Sequence, residues 1–272
     1  MTPAPPKPVR FADLGLRLVT GLALAAIALG DIWLGGYWLG GMAALAAGLM
    51  MWEYHRMVTG DRRLDAPALI ALALAAVWSV AATVIWGLNV GAGIVLVGVV
   101  ATMLLAPRET RVWLVAGLVY MALSMCFLTM LRDTDGRGFP MVVWLVLVVV
   151  AADVGAYFVG RICGGPRLWP AVSPGKTWSG ALGGLALAVA VGAAFAHWSA
   201  WGLGRTAVLS ALIAVASQLG DLLESAIKRR FGVKDASQLV PGHGGVMDRL
   251  DGIMGALWVF AIYHLLGGSF GG

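Results

Sequence analysis

A chain of 272 residues is long enough for one or two soluble domains, but hydrophobic residues make up 60% of it and charged residues only 12%. An ordinary globular domain carries roughly 25% charged residues, and a water-facing surface cannot be built from so few. A mean hydropathy of +0.86 likewise excludes intrinsic disorder, a secreted disulfide scaffold and a soluble nucleotide-binding fold.

The composition reads as an all-α polytopic integral membrane protein, and the 38 glycines suit closely packed transmembrane helices. Residues 1–12, with Pro3, Pro5, Pro6 and Pro8, read as a disordered cytoplasmic tail without the pattern of a signal peptide. Residues 13–272 read as one transmembrane catalytic domain. Apolar runs near the roughly 20 residues that cross a bilayer fall at 15–30, 37–53, 67–86, 90–106, 112–131, 141–160, 180–198, 206–223 and 252–268. Nine spans put the N-terminus in the cytoplasm and the C-terminus outside. That arrangement leaves only Arg132, Arg137 and Arg205 of the 19 basic residues on the outer side, as the positive-inside rule requires. The net charge of +5 is therefore a topology signal, and no nucleic-acid partner is expected. Trp33, Trp38, Trp52, Trp86, Trp113, Trp178 and Trp198 fall near span ends and read as an aromatic belt. Arg132 and Asp133 read as solvated charges of an outer loop, and Cys126 and Cys163 are too differently placed to form a bridge.

The remaining charges concentrate between Asp221 and Asp251. Asp221, Glu224, Ser225 and Lys228 are spaced i, i+3, i+4 and i+7, so they share one helix face, and Asp248 and Asp251 are also i, i+3. Two helices that offer carboxylates at one depth can hold Mg²⁺, which takes a few carboxylates, waters and substrate phosphates. Between them, Pro241-Gly242-His243-Gly244-Gly245 reads as a rigid turn whose backbone N–H groups can approach phosphate oxygens. A carboxylate at membrane depth is costly unless paired or coordinated, which marks Asp153, in the middle of its span, for a functional or polar-network role with a partner on another helix. Ser173-Pro174-Gly175-Lys176-Thr177 contains Gly-Lys-Thr but is no Walker A loop. Pro170 stands where the first glycine belongs, and no strand is expected before it.

At this point a resemblance is legible. SAIKRRFGVKDASQLVPGHGGVMDRLD, from Ser225 to Asp251, closely resembles the signature of the phosphatidate cytidylyltransferases. Ser225, Lys228, Arg229, Lys234, Asp235, His243, Gly244, Gly245, Asp248, Arg249 and Asp251 match its pattern. Val240 is a conservative departure before the proline. The surrounding segment 217–252, the Ser173–Thr177 segment and Trp52-Glu53-Tyr54 resemble the family too.

The resemblance implies transfer of CMP from CTP to phosphatidate, giving CDP-diacylglycerol and pyrophosphate at the cytoplasmic face of the cell's inner membrane. It also implies Mg²⁺, a second, monovalent cation such as K⁺, and a homodimer. On this reading Asp221 and Asp248 are metal ligands with Asp251 beside them. Lys228, Arg229 and Lys234 neutralise phosphates, with Arg249 among the catalytic residues. Asp235 orients a basic neighbour or touches ribose or base, and His243, Gly244 and Gly245 shape the phosphate turn. Ser173, Lys176, Thr177, Ser225 and Asp153 line the substrate side. A secondary transporter is the rival from another class, and a CTP-dependent lipid kinase the nearer one. The kinase would release CDP where the cytidylyltransferase releases pyrophosphate.

Overall fold

The computed structural model describes residues 11–61, 63–64, 66–133, 136–199, 201–240 and 244–267, with the backbone alone for 11–18. Most of the expected tail lies outside the described residues, and the first helix opens at Phe11. Among the described residues nine helices follow in order: α1 (Phe11–Leu34), α2 (Gly36–Thr59), α3 (Pro67–Trp86), α4 (Leu88–Leu105), α5 (Arg111–Arg132), α6 (Gly138–Cys163), α7 (Trp178–Ser199), α8 (Leu203–Arg230) and α9 (Met247–Leu265). Each expected span lies within or across one of them.

Among the described residues six helices, α3 to α8, are long and apolar enough to cross a membrane, so the chain is a polytopic membrane protein. Polar and aromatic residues, such as Trp52 and Glu53 on α2 and Asp248, Arg249 and Asp251 on α9, dilute the apolar character of α2 and α9. The helices also outrun the apolar runs. In α8 the helix continues seven residues past Leu223 to Arg230, because its last turn is held by tertiary contacts.

The bundle is all-helical as expected, with one short addition that the sequence did not suggest. Between α6 and α7 the chain forms an antiparallel hairpin of β1 (Arg167–Trp169) and β2 (Ser173–Thr177), with Arg167 opposite Thr177 and Trp169 opposite Ser173. A strand does precede Gly175-Lys176-Thr177, yet the three residues lie inside β2 and not in a loop, so the rejection of a P-loop stands. Thr177 caps α7: its Oγ1 accepts the Gly180 N–H at 3.1 Å, an N-cap bond to the third helical residue.

Close approach between helices depends on missing side chains. A Cβ on Gly180 would lie 2.7 Å from the Ala156 carbonyl oxygen, and one on Gly184 would meet the Ala152 carbonyl oxygen. The small-residue face of α7 is therefore spent within the chain against α6. In the same way Gly220 of α8 lies on the Asp251 carbonyl of α9, where a Cβ would sit at 2.6 Å. That contact sets Asp221 and Asp251 at one depth.

The core lies around α2, α5 and α6, where Met50, Met51, Tyr54, Leu118, Met125, Trp144 and Leu145 are buried. Val90, Leu96, Val97, Val100 and Leu104 on α4 stay exposed, an apolar surface suited to lipid chains. Trp33, Trp38, Trp86 and Trp198 are exposed at the end away from the hairpin, and Trp178 beside it. Trp52 and Trp113 depart from the expected belt. Arg56 lies over the Trp52 ring at 4.5 Å and Arg230 over Trp113 at 5.1 Å, so both rings serve loop packing. Arg132 is not a free loop charge either. Its Nε donates to the Ile32 carbonyl at 2.7 Å and its Nη2 to Trp33 at 3.1 Å, satisfying carbonyls that the C-terminus of α1 leaves unpaired.

Candidate active site

The hairpin, the α8–α9 loop and the end of α2 meet at one end of the bundle. Arg229 reaches from α8 to the Val172 carbonyl of the hairpin at 3.4 Å, and Glu53 of α2 reaches Ser237 of the loop at 2.6 Å. The basic segments that the sequence places on one side of the membrane are thereby assembled.

A cavity of about 780 Å³ opens there. Tyr157 and Arg161 of α6, Arg167 and Lys176 of the hairpin, and Gln218 and Asp221 of α8 line it, with Asp153 and Thr177. Asp153 lies ten residues before Cys163, the end of α6. At 1.5 Å of rise per residue the cavity runs about 15 Å into the bundle. Lys176 Nζ and Asp221 Oδ2 are 2.5 Å apart on its wall, and Ser225 donates to Asp221 Oδ1 at 3.3 Å. Asp153 has no partner on its own helix; it faces this cavity, as its position in mid-span required.

Deeper in the loop lies a second polar group. Lys228 Nζ donates to Glu224 Oε1 at 2.9 Å and to Asp248 Oδ1 at 2.6 Å, with all three side chains nearly buried. The i, i+4 spacing read from the sequence is thus realised as a bond. Asp248 also accepts the Ala236 N–H at 3.0 Å and the Gly245 N–H at 2.8 Å. Lys228 is held between carboxylates, not turned into a cavity, and the Gly245 N–H is engaged by Asp248, not offered to an anion. Glu224 Oε2 is buried without a partner.

The other sequence-derived residues fall around these two groups. Lys234 and Asp235 line a second cavity of about 750 Å³ with Trp52, Arg56 and Gln238. Arg229 also donates to the Val233 carbonyl at 3.1 Å, and Arg249 is exposed on α9. Ser173 is half-buried at the start of β2. His243 lies outside the described residues; on either side of it the Val240 N–H donates to the Gly244 carbonyl at 2.8 Å. Gly244 takes a φ of 85°, a conformation that favours glycine.

The sequence reading gave no role to Glu53, which is wholly buried and accepts the Val246 and Met247 N–H groups at 2.9 and 2.8 Å. A carboxylate inside an apolar run was the available signal, but its partners are 193 and 194 residues away.

The donor chemistry fits a hard divalent cation. Asp153, Asp221, Glu224, Asp248 and Asp251 face two lysines, Lys176 and Lys228. The three donors on Asp248 leave capacity in a carboxylate, which has about four lone-pair sites. Among the described residues no three such side chains converge as a ready cage. Mg²⁺ does not ask for one, since one or two carboxylates and substrate phosphates suffice.

Fold and site define a membrane-embedded protein with a carboxylate- and lysine-lined cavity at one end, suited to phosphate chemistry. The cytidylyltransferase family model matches residues 15–266, and the chain belongs to that family of nucleotidyltransferases. A phosphatidate cytidylyltransferase of Brucella suis biovar 1 (strain 1330) is 37% identical over 267 residues, 95% of both chains. One from Haemophilus influenzae is 43% identical over 134 residues, 47% of this chain and 46% of that one. One from Staphylococcus aureus (strain COL) is 38% identical over 124 residues, 45% and 48% of the two chains.

Proposed function

We propose that the chain is a phosphatidate cytidylyltransferase. An oxygen of the phosphatidate phosphate attacks the α-phosphorus of CTP, a P–O bond forms, the bond to the β-phosphate breaks, and pyrophosphate leaves. The attacking phosphate is already anionic at neutral pH, so no strong base is required. The barrier lies in bringing two anions together and in the charge that develops on the leaving group. The observation that carries this reading is the cavity where the Lys176–Asp221 pair, Arg161 and Arg167 gather beside Asp153, within a family of cytidylyltransferases.

Each residue then has a task. Lys176, Arg161 and Arg167 neutralise phosphate charge, and Ser173, Thr177 and Ser225 order the walls that bear them. Arg229, Lys234 and Arg249 supply further positive charge at the mouth, and Asp235 orients Lys234 or contacts ribose. His243 and Gly244 shape the turn next to Asp248. Asp221, Asp248 and Asp251 would hold Mg²⁺, with a monovalent ion such as K⁺ as a second cation. When bound, the metal screens the two phosphates and stabilises the departing pyrophosphate. Lys228 holds Asp248 and Glu224 in place.

The nine helices are nine spans, with the N-terminus in the cytoplasm, in a bacterial inner membrane. CTP enters from the cytosol, and phosphatidate slides in laterally from the facing leaflet. The active unit is a homodimer.

Purified protein in detergent with phosphatidate, CTP and Mg²⁺ tests the reading by following pyrophosphate and CDP together. Wild-type protein should release pyrophosphate and form CDP-diacylglycerol, and Asp248→Asn should do neither while remaining folded. Release of CDP in place of pyrophosphate would make the protein a lipid kinase. Full activity in Asp248→Asn would remove the carboxylate cluster from the mechanism.

A further inference from the structure

We propose that Glu53 is a positioning residue for the reaction: from α2 it fixes the first turn of α9 and so the placement of Asp248 and Asp251. The inference rests on the cytidylyltransferase reading above. Glu53 lies six residues before the end of α2 at Thr59 and is fully shielded from solvent. Burying a carboxylate this far is tolerated only where its charge is met by donors. It has three. Oε1 accepts from Ser237 Oγ at 2.6 Å and from the Val246 N–H at 2.9 Å, and Oε2 accepts from the Met247 N–H at 2.8 Å.

Two of those donors, the Val246 and Met247 N–H groups, stand at the start of α9, where no intrahelical acceptor serves them. Its own N-cap residue, Val246, makes no side-chain capping bond, so the cap comes from another helix. A carboxylate at a helix N-terminus also meets the positive end of the dipole. Asp248 binds the same two stretches of chain from within α9, through the N–H groups of Ala236 and Gly245. Glu53 and Asp248 together bind residues 236–237 of the loop and 245–247 at the helix start. The position of Asp248 is thereby referred to α2 as well as to its own loop.

The arrangement also accounts for Gly245. A Cβ there would lie 2.5 Å from Glu53 Oε1 and 2.8 Å from its Cδ, so any side chain would push Glu53 from its seat. Its N–H serves Asp248 and its missing side chain serves Glu53. Gly245 is a joint between two carboxylates.

The test compares wild type, Glu53→Gln, Glu53→Ala and Gly245→Ala in the same assay, with thermal unfolding of each protein with and without Mg²⁺. Loss of a group that orients metal-binding residues typically costs about 10- to 100-fold. Glu53→Ala should lose that factor in kcat with the KM for CTP little changed, and Mg²⁺ should stabilise the variant less than wild type. Gln keeps one acceptor oxygen, so Glu53→Gln should fall between. Gly245→Ala should match Glu53→Ala, and the double variant should be no worse than either single, because both break one contact. If Glu53→Ala does not fold, Glu53→Gln and Gly245→Ala carry the test. Wild-type kcat and undiminished Mg²⁺ stabilisation in the folded variants would overturn the proposal, as would a rise in KM alone. A wild type that makes no pyrophosphate would instead overturn the reading beneath it, whatever the variants do.

Discussion

Lys176 of the hairpin and Asp221 of α8 are joined by an ion pair of 2.5 Å across the wall of the deep cavity. Both side chains keep about a third of their surface open, 28% and 34%, so the pair is accessible to a ligand. On the proposed reading, a phosphate entering the cavity would compete with Asp221 for the ammonium and free the carboxylate to hold a metal ion. Lys176→Met should therefore weaken substrate handling. A hydrogen bond to a charged group is worth about 1.5–3 kcal/mol, which corresponds to about 10- to 100-fold in kcat/KM at 1.4 kcal/mol per decade. Lys176→Arg should retain part of the activity. Steady-state kinetics in both CTP and phosphatidate would show which substrate Lys176 serves, and an unchanged kcat/KM for both would remove it from the site.

Lys228 is a different kind of lysine. It is nearly buried, between Glu224 and Asp248, and removing it strands two carboxylates. Breaking a buried ion pair by deleting one partner costs about 3–5 kcal/mol. Lys228→Met should lower the thermal midpoint of the detergent-solubilised protein accordingly. Adding Glu224→Gln should recover part of the loss, since one stranded carboxyl group is then replaced by an amide. Asp248 would still lack its cation, so activity should remain low in the double variant. Recovery of both stability and turnover would mean that Lys228 has no role beyond balancing Glu224.

Much of this was legible in the sequence, and the division follows range of interaction. The nine helices are visible because apolar length is a local property. The face of Asp221, Glu224, Ser225 and Lys228 is visible because helical spacing is local too. The hairpin is not. Its second strand reads Ser-Pro-Gly-Lys-Thr, which has almost no strand propensity; pairing with β1 and the Arg167 bond to the Gly175 carbonyl at 3.2 Å hold it. The partner of Lys228 across the loop, the seat of Glu53 and the spending of the α7 glycines against α6 are long-range contacts, and no periodicity encodes them.

The α6–α7 contact is open to a single-atom test. Gly184 approaches the Ala152 carbonyl oxygen and stands near the Gln218 side chain, where a Cβ would lie 3.1 Å from Nε2. Gly184→Ala must therefore push α7 away from the α6 backbone, and it also crowds Gln218. Overpacking of this kind costs about 1–3 kcal/mol. Because Asp153 lies one residue from Ala152 on α6, the cavity wall moves with the helix. A lowered thermal midpoint and reduced activity are both expected. Gly30→Ala serves as the control, since nothing lies within 4 Å of a Cβ there. Equal behaviour of the two variants would mean that α6 and α7 do not need this contact.

Orientation in the membrane gives the sharpest structural prediction. The loop bearing Gln238 and the hairpin belong to one end of the bundle, while Asp133, beyond α5, belongs to the other. Both residues are exposed. Cys126 is buried, whereas Cys163 is exposed, so Cys163→Ser supplies a background with no reactive thiol at the surface. In that background Gln238→Cys should react with a membrane-impermeant maleimide only after the cells are opened. Asp133→Cys should react once the outer barrier alone is made permeable. The positive-inside asymmetry and the proposed reaction both require this outcome, since CTP is a cytosolic nucleotide and the cavity proposed for it lies at the hairpin end. Labelling of Gln238→Cys in intact cells would invert the protein and separate its site from its substrate.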